Sequence, residues 1–238
     1  MSQLTFRKGA ADGVPIALGY FSVAFAFGML AVTNRFPVWT PIVISLTNFT
    51  GTGQFAGLDL LRLSASFFEI ACTMLIINVR YVLMSLSLSQ KLDGRVTLWQ
   101  RLLIAFGNTD EIYAVSMGQP GTLCFPYMMG LILCSFSGWV GGTAVGALCG
   151  GFFPDSVIRA LGIALYAMFI AIIIPPARDY GPIAKIILLA VLLSCLFWYV
   201  PGLSELSNGW VIIICGVVSA GVGALLFPVE ESEETADE

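Results

Sequence analysis

Apolar and polar positions alternate along this chain in long blocks rather than residue by residue. Apolar stretches run at about 14–32, 41–57, 67–88, 98–117, 126–148, 157–174, 183–200 and 210–227. Most approach the roughly 20 residues that a membrane-spanning helix requires. The pattern predicts an all-α polytopic membrane protein with about six to eight hydrophobic segments. It sets a cytoplasmic N-terminus (1–12), a single transmembrane domain (13–228, with possible halves 13–118 and 126–228) and an acidic, disordered tail (229–238).

One block breaks the apolar pattern from within. Residues 45–57 read SLTNFTGTGQFAG and hold Asn48, Thr50, Gly51, Thr52, Gly53 and Gln54 beside Phe55. A glycine weakens a helix by roughly 1 kcal/mol, so an uninterrupted span is not expected here. Irregular backbone survives at membrane depth only where protein buries it or it lines a wet cavity. Polar residues at a glycine-interrupted segment therefore point to a substrate site at mid-membrane. The competing reading is a small-residue face for helix packing.

Basic residues set the orientation, because they collect on the cytoplasmic side. Arg7 and Lys8 put the N-terminus inside. Lys91, Arg95 and Arg101 join them there only if the segment at 41–57 enters and leaves on the outer face. A second re-entrant segment at 157–174, ending at Pro175-Pro176, brings Arg159, Arg178 and Lys185 inside as well. Six full crossings and two broken segments result. The echo of Gly28-Met29-Leu30 before Phe36-Pro37 in Gly146-Ala147-Leu148 before Phe153-Pro154 suggests an inverted repeat, a secondary-transporter architecture.

Composition sharpens this picture. Of 238 residues 58% are hydrophobic and 11% charged, against about 25% charged in soluble domains. There is no histidine, and the six cysteines form no Cys-x-x-Cys pair, so neither a metal site nor a cofactor is expected. Ionisable groups inside the spans are costly and are functional candidates by default. Glu69, Arg80, Asp110 and Glu111 form this set, with Asn78, Asn108 and Tyr113 as polar companions. Glu69 and Arg80 stand eleven residues apart on one stripe, about 16 Å in height, and Asn78 points the other way. Arg80 lies eleven residues before Lys91 and Asp110 nine after Arg101, which matches their depths. Arg80 is expected to pair with Asp110 or Glu111, leaving one of Asp110, Glu111 and Glu69 free to carry a proton. Gly138, Gly142 and Gly146 repeat at G-x-x-x-G spacing and predict close helix packing.

These stretches resemble the azaleucine-resistance (AzlC-type) branched-chain amino acid permeases. The resemblance rests on Gly13-Val14-Pro15, Gly28, Gly53-Gln54-Phe55, Glu69, Asn78-Val79-Arg80-Tyr81-Val82-Leu83-Met84, Thr109-Asp110-Glu111-Ile112-Tyr113, and Trp139 with Gly142-Thr143. Thr50 departs from the family, whose members often carry alanine there. The resemblance implies a bacterial inner-membrane exporter of valine, leucine, isoleucine and methionine, working with a second, small hydrophobic AzlD-type subunit. Residues 50–54 would then hold the amino and carboxylate groups, with Phe27 and Phe55 around the side chain. Protons would couple through Asp110 or Glu111. A passive channel for a small neutral solute is the alternative. An intramembrane enzyme fits poorly, since the chain lacks histidine, a metal motif and a Ser-Lys dyad within a span.

Overall fold

The computed structural model describes residues 4–149, 170, 173–174, 177–178, 180–203 and 205–227, and no strand occurs among them. In chain order the helices are α1 (Phe6–Thr33), α2 (Trp39–Thr47), α3 (Gly51–Arg62), α4 (Phe67–Lys91), α5 (Leu98–Phe106), α6 (Asp110–Met117), α7 (Phe125–Cys149), α8 (Gly181–Tyr199) and α9 (Asn208–Leu226). Five of these, α1, α4, α7, α8 and α9, are long and apolar enough to cross a membrane. The chain is a multi-pass, all-α membrane protein. It folds as two compact units, residues 4–63 with 77–149, and residues 64–76 with the described residues from 170 onward.

The first unit is built on a seam between α1 and α7. Carbonyls of Ala17, Phe21 and Phe25 lie 2.3, 2.4 and 2.1 Å from where a Cβ on Gly138, Gly142 and Gly146 would stand. Only glycine permits that approach, so the predicted packing role of these glycines holds. Residue numbers rise together along the seam, from Gly9 against Tyr127 to Gly28 against Thr143, so α1 and α7 are parallel.

That direction corrects the expected topology. The segment at 98–117 is not one crossing but two short helices, α5 and α6, separated by Gly107, Asn108 and Thr109. Gly107 ends α5 and Thr109 caps α6, accepting a hydrogen bond from the Ile112 amide. Lys91, at the end of α4, donates from Nζ to the carbonyls of Met117 and Gln119, each at 2.6 Å. The end of α6 thus returns to the side where α5 began, the side that also holds the start of α1. Cys124, just ahead of α7, bonds Leu4 there at 2.8 Å. Lys91, Arg95 and Arg101 share that side with Arg7 and Lys8, as the basic residues predict.

The α2–α3 pair is re-entrant from the opposite side, as expected for 41–57. Arg62 at its end reaches Asn34 at the end of α1, 3.4 Å from Nη1 to Oδ1. The break falls at Asn48–Thr50, however, and the glycines open α3 instead of interrupting a helix. Thr50 supplies the reason, because its side chain caps the new helix through the Gly53 amide. The predicted second break at 157–174 and the tail at 229–238 lie outside the described residues, apart from 170 and 173–174.

In the second unit α8 and α9 are antiparallel, with Ile186 of α8 against Gly223 of α9. Lys185 Nζ lies 5.2 Å from the centre of the Phe227 ring. Ser66 caps the start of α4 by accepting from the Glu69 amide at 3.2 Å.

Candidate functional site

Two hairpins entering from opposite sides bring their tips toward one another midway along α1. The backbone at both tips is extended, with φ/ψ of −136°/104° at Asn48, −137°/118° at Thr50 and −113°/170° at Thr109. Each tip ends in a threonine that caps the following helix, so each presents a helix N-terminus with its unsatisfied amides.

Tyr20 of α1 joins the two. Its ring meets Phe49 of the first tip edge-on, at 5.6 Å, and Trp139 of α7 at 5.4 Å. Its hydroxyl stands 2.6 Å from Thr109 Oγ1 of the second tip and donates to the Glu111 carboxylate. Phe49 also meets Trp139 at 5.8 Å and Phe136 at 5.2 Å, which completes an aromatic wall.

Helix α4 contacts both tips. Asn78 accepts a hydrogen bond from Thr50 Oγ1 at 2.9 Å. Arg80 Nη2 pairs with Asp110 at 2.9 Å, one of the two partners expected, with both side chains partly exposed at 41% and 33%. Ser85 accepts from Asn108 Nδ2 at 3.1 Å, and Ser87 bonds Tyr113 at 2.9 Å. Asn78 and Ser85 lie seven residues apart on one stripe of α4, as do Arg80 and Ser87 on another.

The two N-termini differ in charge. The first turn of α3 carries no acidic residue, whereas that of α6 opens with Asp110 and Glu111. Arg80 occupies Asp110, and Glu111 stays exposed. Asn108 Oδ1 and Trp139 Nε1 are buried without a hydrogen-bond partner among the described residues. Such orphans mark positions that a bound solute or water would satisfy.

Not every expected site residue gathers here. Gly51 does, with Trp139 3.6 Å from its Cβ position, and Thr52 lies in the same first turn. Gln54 turns away into a buried trio, in which Ser45 donates to its Oε1 at 3.1 Å and lies 2.7 Å from Thr143. Phe55 meets Phe27 edge-on at 5.2 Å, within a small apolar cluster that includes Ala31 and Leu58. Glu69 belongs to the second unit, where Ser207 donates to its carboxylate. Sequence reasoning missed Tyr20, Phe49 and the role of Trp139. A tyrosine in the middle of an apolar span was a usable signal, since its hydroxyl needs a partner when buried.

A multi-pass membrane protein with two opposed re-entrant hairpins around a polar centre is the class defined here. The chain belongs to the AzlC family, whose description, AzlC protein, matches residues 15–153, from α1 past the end of α7. It is 38% identical to an uncharacterized membrane protein of Archaeoglobus fulgidus, over 71% of this chain and 75% of that one. Against the inner membrane protein YgaZ of Escherichia coli the identity is 32%, over 71% and 72%. Against the branched-chain amino acid transport protein AzlC of Bacillus subtilis it is 24%, over 71% and 66%. No solved structure matches the chain. The family and the Bacillus relative support a role in membrane transport.

Proposed function

We propose that this chain is the large subunit of a secondary transporter that exports valine, leucine, isoleucine and methionine in exchange for protons entering. The observation that carries this reading is the pair of unlike helix N-termini meeting at Tyr20. A zwitterionic amino acid has the matching polarity. Its carboxylate suits the acid-free N-terminus of α3 at Gly51–Gly53, where amides and the helix dipole favour negative charge. Its ammonium group suits Glu111, whose charge no cation among the described residues neutralises. The aliphatic side chain suits the wall of Phe49, Trp139 and Phe136. Trp139 Nε1 and Asn108 Oδ1 gain partners from the substrate or its water.

Two hairpins from opposite sides also suit alternating access, because loosening one tip opens the centre to one face only. A small hydrophobic AzlD-type subunit completes the transporter in this proposal, and the Bacillus relative's name supports the substrate class. The test is efflux of labelled leucine or valine from loaded cells expressing this chain alone or with such a partner. The proposal expects efflux that needs both chains and collapses with a proton uncoupler. Efflux by this chain alone, indifferent to the uncoupler, would support a passive channel instead.

A further inference from the structure

We infer that Glu69, with Thr73 and Ser207, forms a proton-binding site in the second unit, apart from the centre at Tyr20; its coupling role rests on the transport reading above. Glu69 is 6% exposed and Thr73 fully buried, one helical turn apart on the same face of α4. Both reach Gly209 at the start of α9, where Glu69 Oε1 and Thr73 Oγ1 lie 2.5 and 2.9 Å from the Cβ position. Any side chain at 209 would fill the space that these two oxygens occupy. Ser207 donates to Glu69 Oε1. Thr73 Oγ1 has no hydrogen-bond partner among the described residues, although it is buried beside a carboxylate.

The surroundings favour a proton over a metal cation. The groups at the Glu69 carboxylate are Thr73 from α4 and Ser207 from the start of α9, both neutral hydroxyls, while Ser66 just ahead of α4 bonds only the Glu69 amide. No basic group among the described residues pairs with Glu69. Lys185 sits against Phe227 at the far end of α9, and Arg80 is held by Asp110. Calcium gathers about 6–8 oxygens, several of them carboxylates or carbonyls, and magnesium needs room for several of its own waters. Here one carboxylate and two hydroxyls gather at Gly209, and one of those hydroxyls is already committed. A buried carboxylate without a cationic partner is costly, and taking up one proton removes that charge. The proton forms the O–H bond of a carboxylic acid, and a rotation of that acid toward Thr73 Oγ1 would supply its acceptor.

Arg80 engages Asp110, and Tyr20 with the substrate's ammonium engages Glu111, so Glu69 is the carboxylate left to load and unload. The full chain, with its partner where needed, is reconstituted in liposomes and followed by infrared difference spectroscopy on a pH step. Wild type should show a carboxylic-acid C=O band that Glu69→Gln loses and Glu69→Asp keeps, shifted. Thr73→Val should move that band by removing its acceptor. Retention of every such band in Glu69→Gln, or its response to sodium at constant pH, overturns the site. In the same vesicles Glu69→Gln should retain leucine counterflow at equal pH and lose accumulation driven by a pH gradient. Unchanged gradient-driven accumulation would overturn the coupling role. If wild type moves no amino acid at all, the transport reading fails, and the infrared result still decides the proton site.

Discussion

Tyr20 carries more of the proposed centre than any other side chain, because one residue holds both tips. Tyr20→Phe keeps the edge-on contacts with Phe49 and Trp139 and removes only the hydroxyl. The cost to stability should be about 1 kcal/mol, the net worth of one hydrogen bond. Leucine export should nevertheless fall sharply, since Glu111 and Thr109 lose the group that fixes them. Thermal unfolding in detergent alongside efflux separates the two effects. Arg80 and Asp110 pose a different question. Both are partly exposed, so the pair fixes geometry more than it stabilises the fold. Arg80→Asp with Asp110→Arg should recover part of the leucine export that each single reversal abolishes, with only small changes in melting temperature. A double variant no better than either single would remove the pair from the account.

At the scale of elements, the hairpins depend on their caps and the seam on its glycines. Thr50→Val and Thr109→Val each remove a capping oxygen, at a cost of about 1 kcal/mol in helix stability. Each also loses a second partner, Asn78 in Thr50→Val and the Tyr20 hydroxyl in Thr109→Val, so both should lower the melting temperature by more than a lost cap alone. The seam offers an internal control. A Cβ on Gly142 would stand 2.4 Å from the Phe21 carbonyl, whereas one on Gly141 would meet nothing within 4 Å. Gly142→Leu should therefore cost about 1–3 kcal/mol or more through overpacking. Gly141→Leu should purify and melt like the wild type, and equal losses in both would argue against the seam.

At the scale of the molecule, the arrangement of the hairpins is the claim with most consequences. Arg35, just past α1, and Gly94, just past α4, are both exposed and belong to opposite sides. Arg35→Cys and Gly94→Cys, each in a chain lacking the six native cysteines, should react with a membrane-impermeant thiol reagent from opposite faces. Labelling of both from one face would refute two hairpins entering from opposite sides.

A helical, membrane-bound chain follows from the residues alone, because length and apolarity of each segment are local properties. The first break was also legible to within 45–57, although the glycines read as helix breakers prove to open α3 behind the Thr50 cap. That Arg80 pairs with Asp110 or Glu111 was legible from depth counted along two neighbouring segments, and packing chose Asp110. That 98–117 turns back instead of crossing shows only in the folded chain. A hairpin and a span of that length share one composition, and the difference lies in Lys91 reaching the Met117 and Gln119 carbonyls, far along the chain. The same holds for Gln54 and Phe55, which the local pattern assigned to the site and packing drew into the core. Tyr20 was hidden for the complementary reason: its partners lie near 50, 110 and 139, and nothing adjacent in sequence signals that they converge.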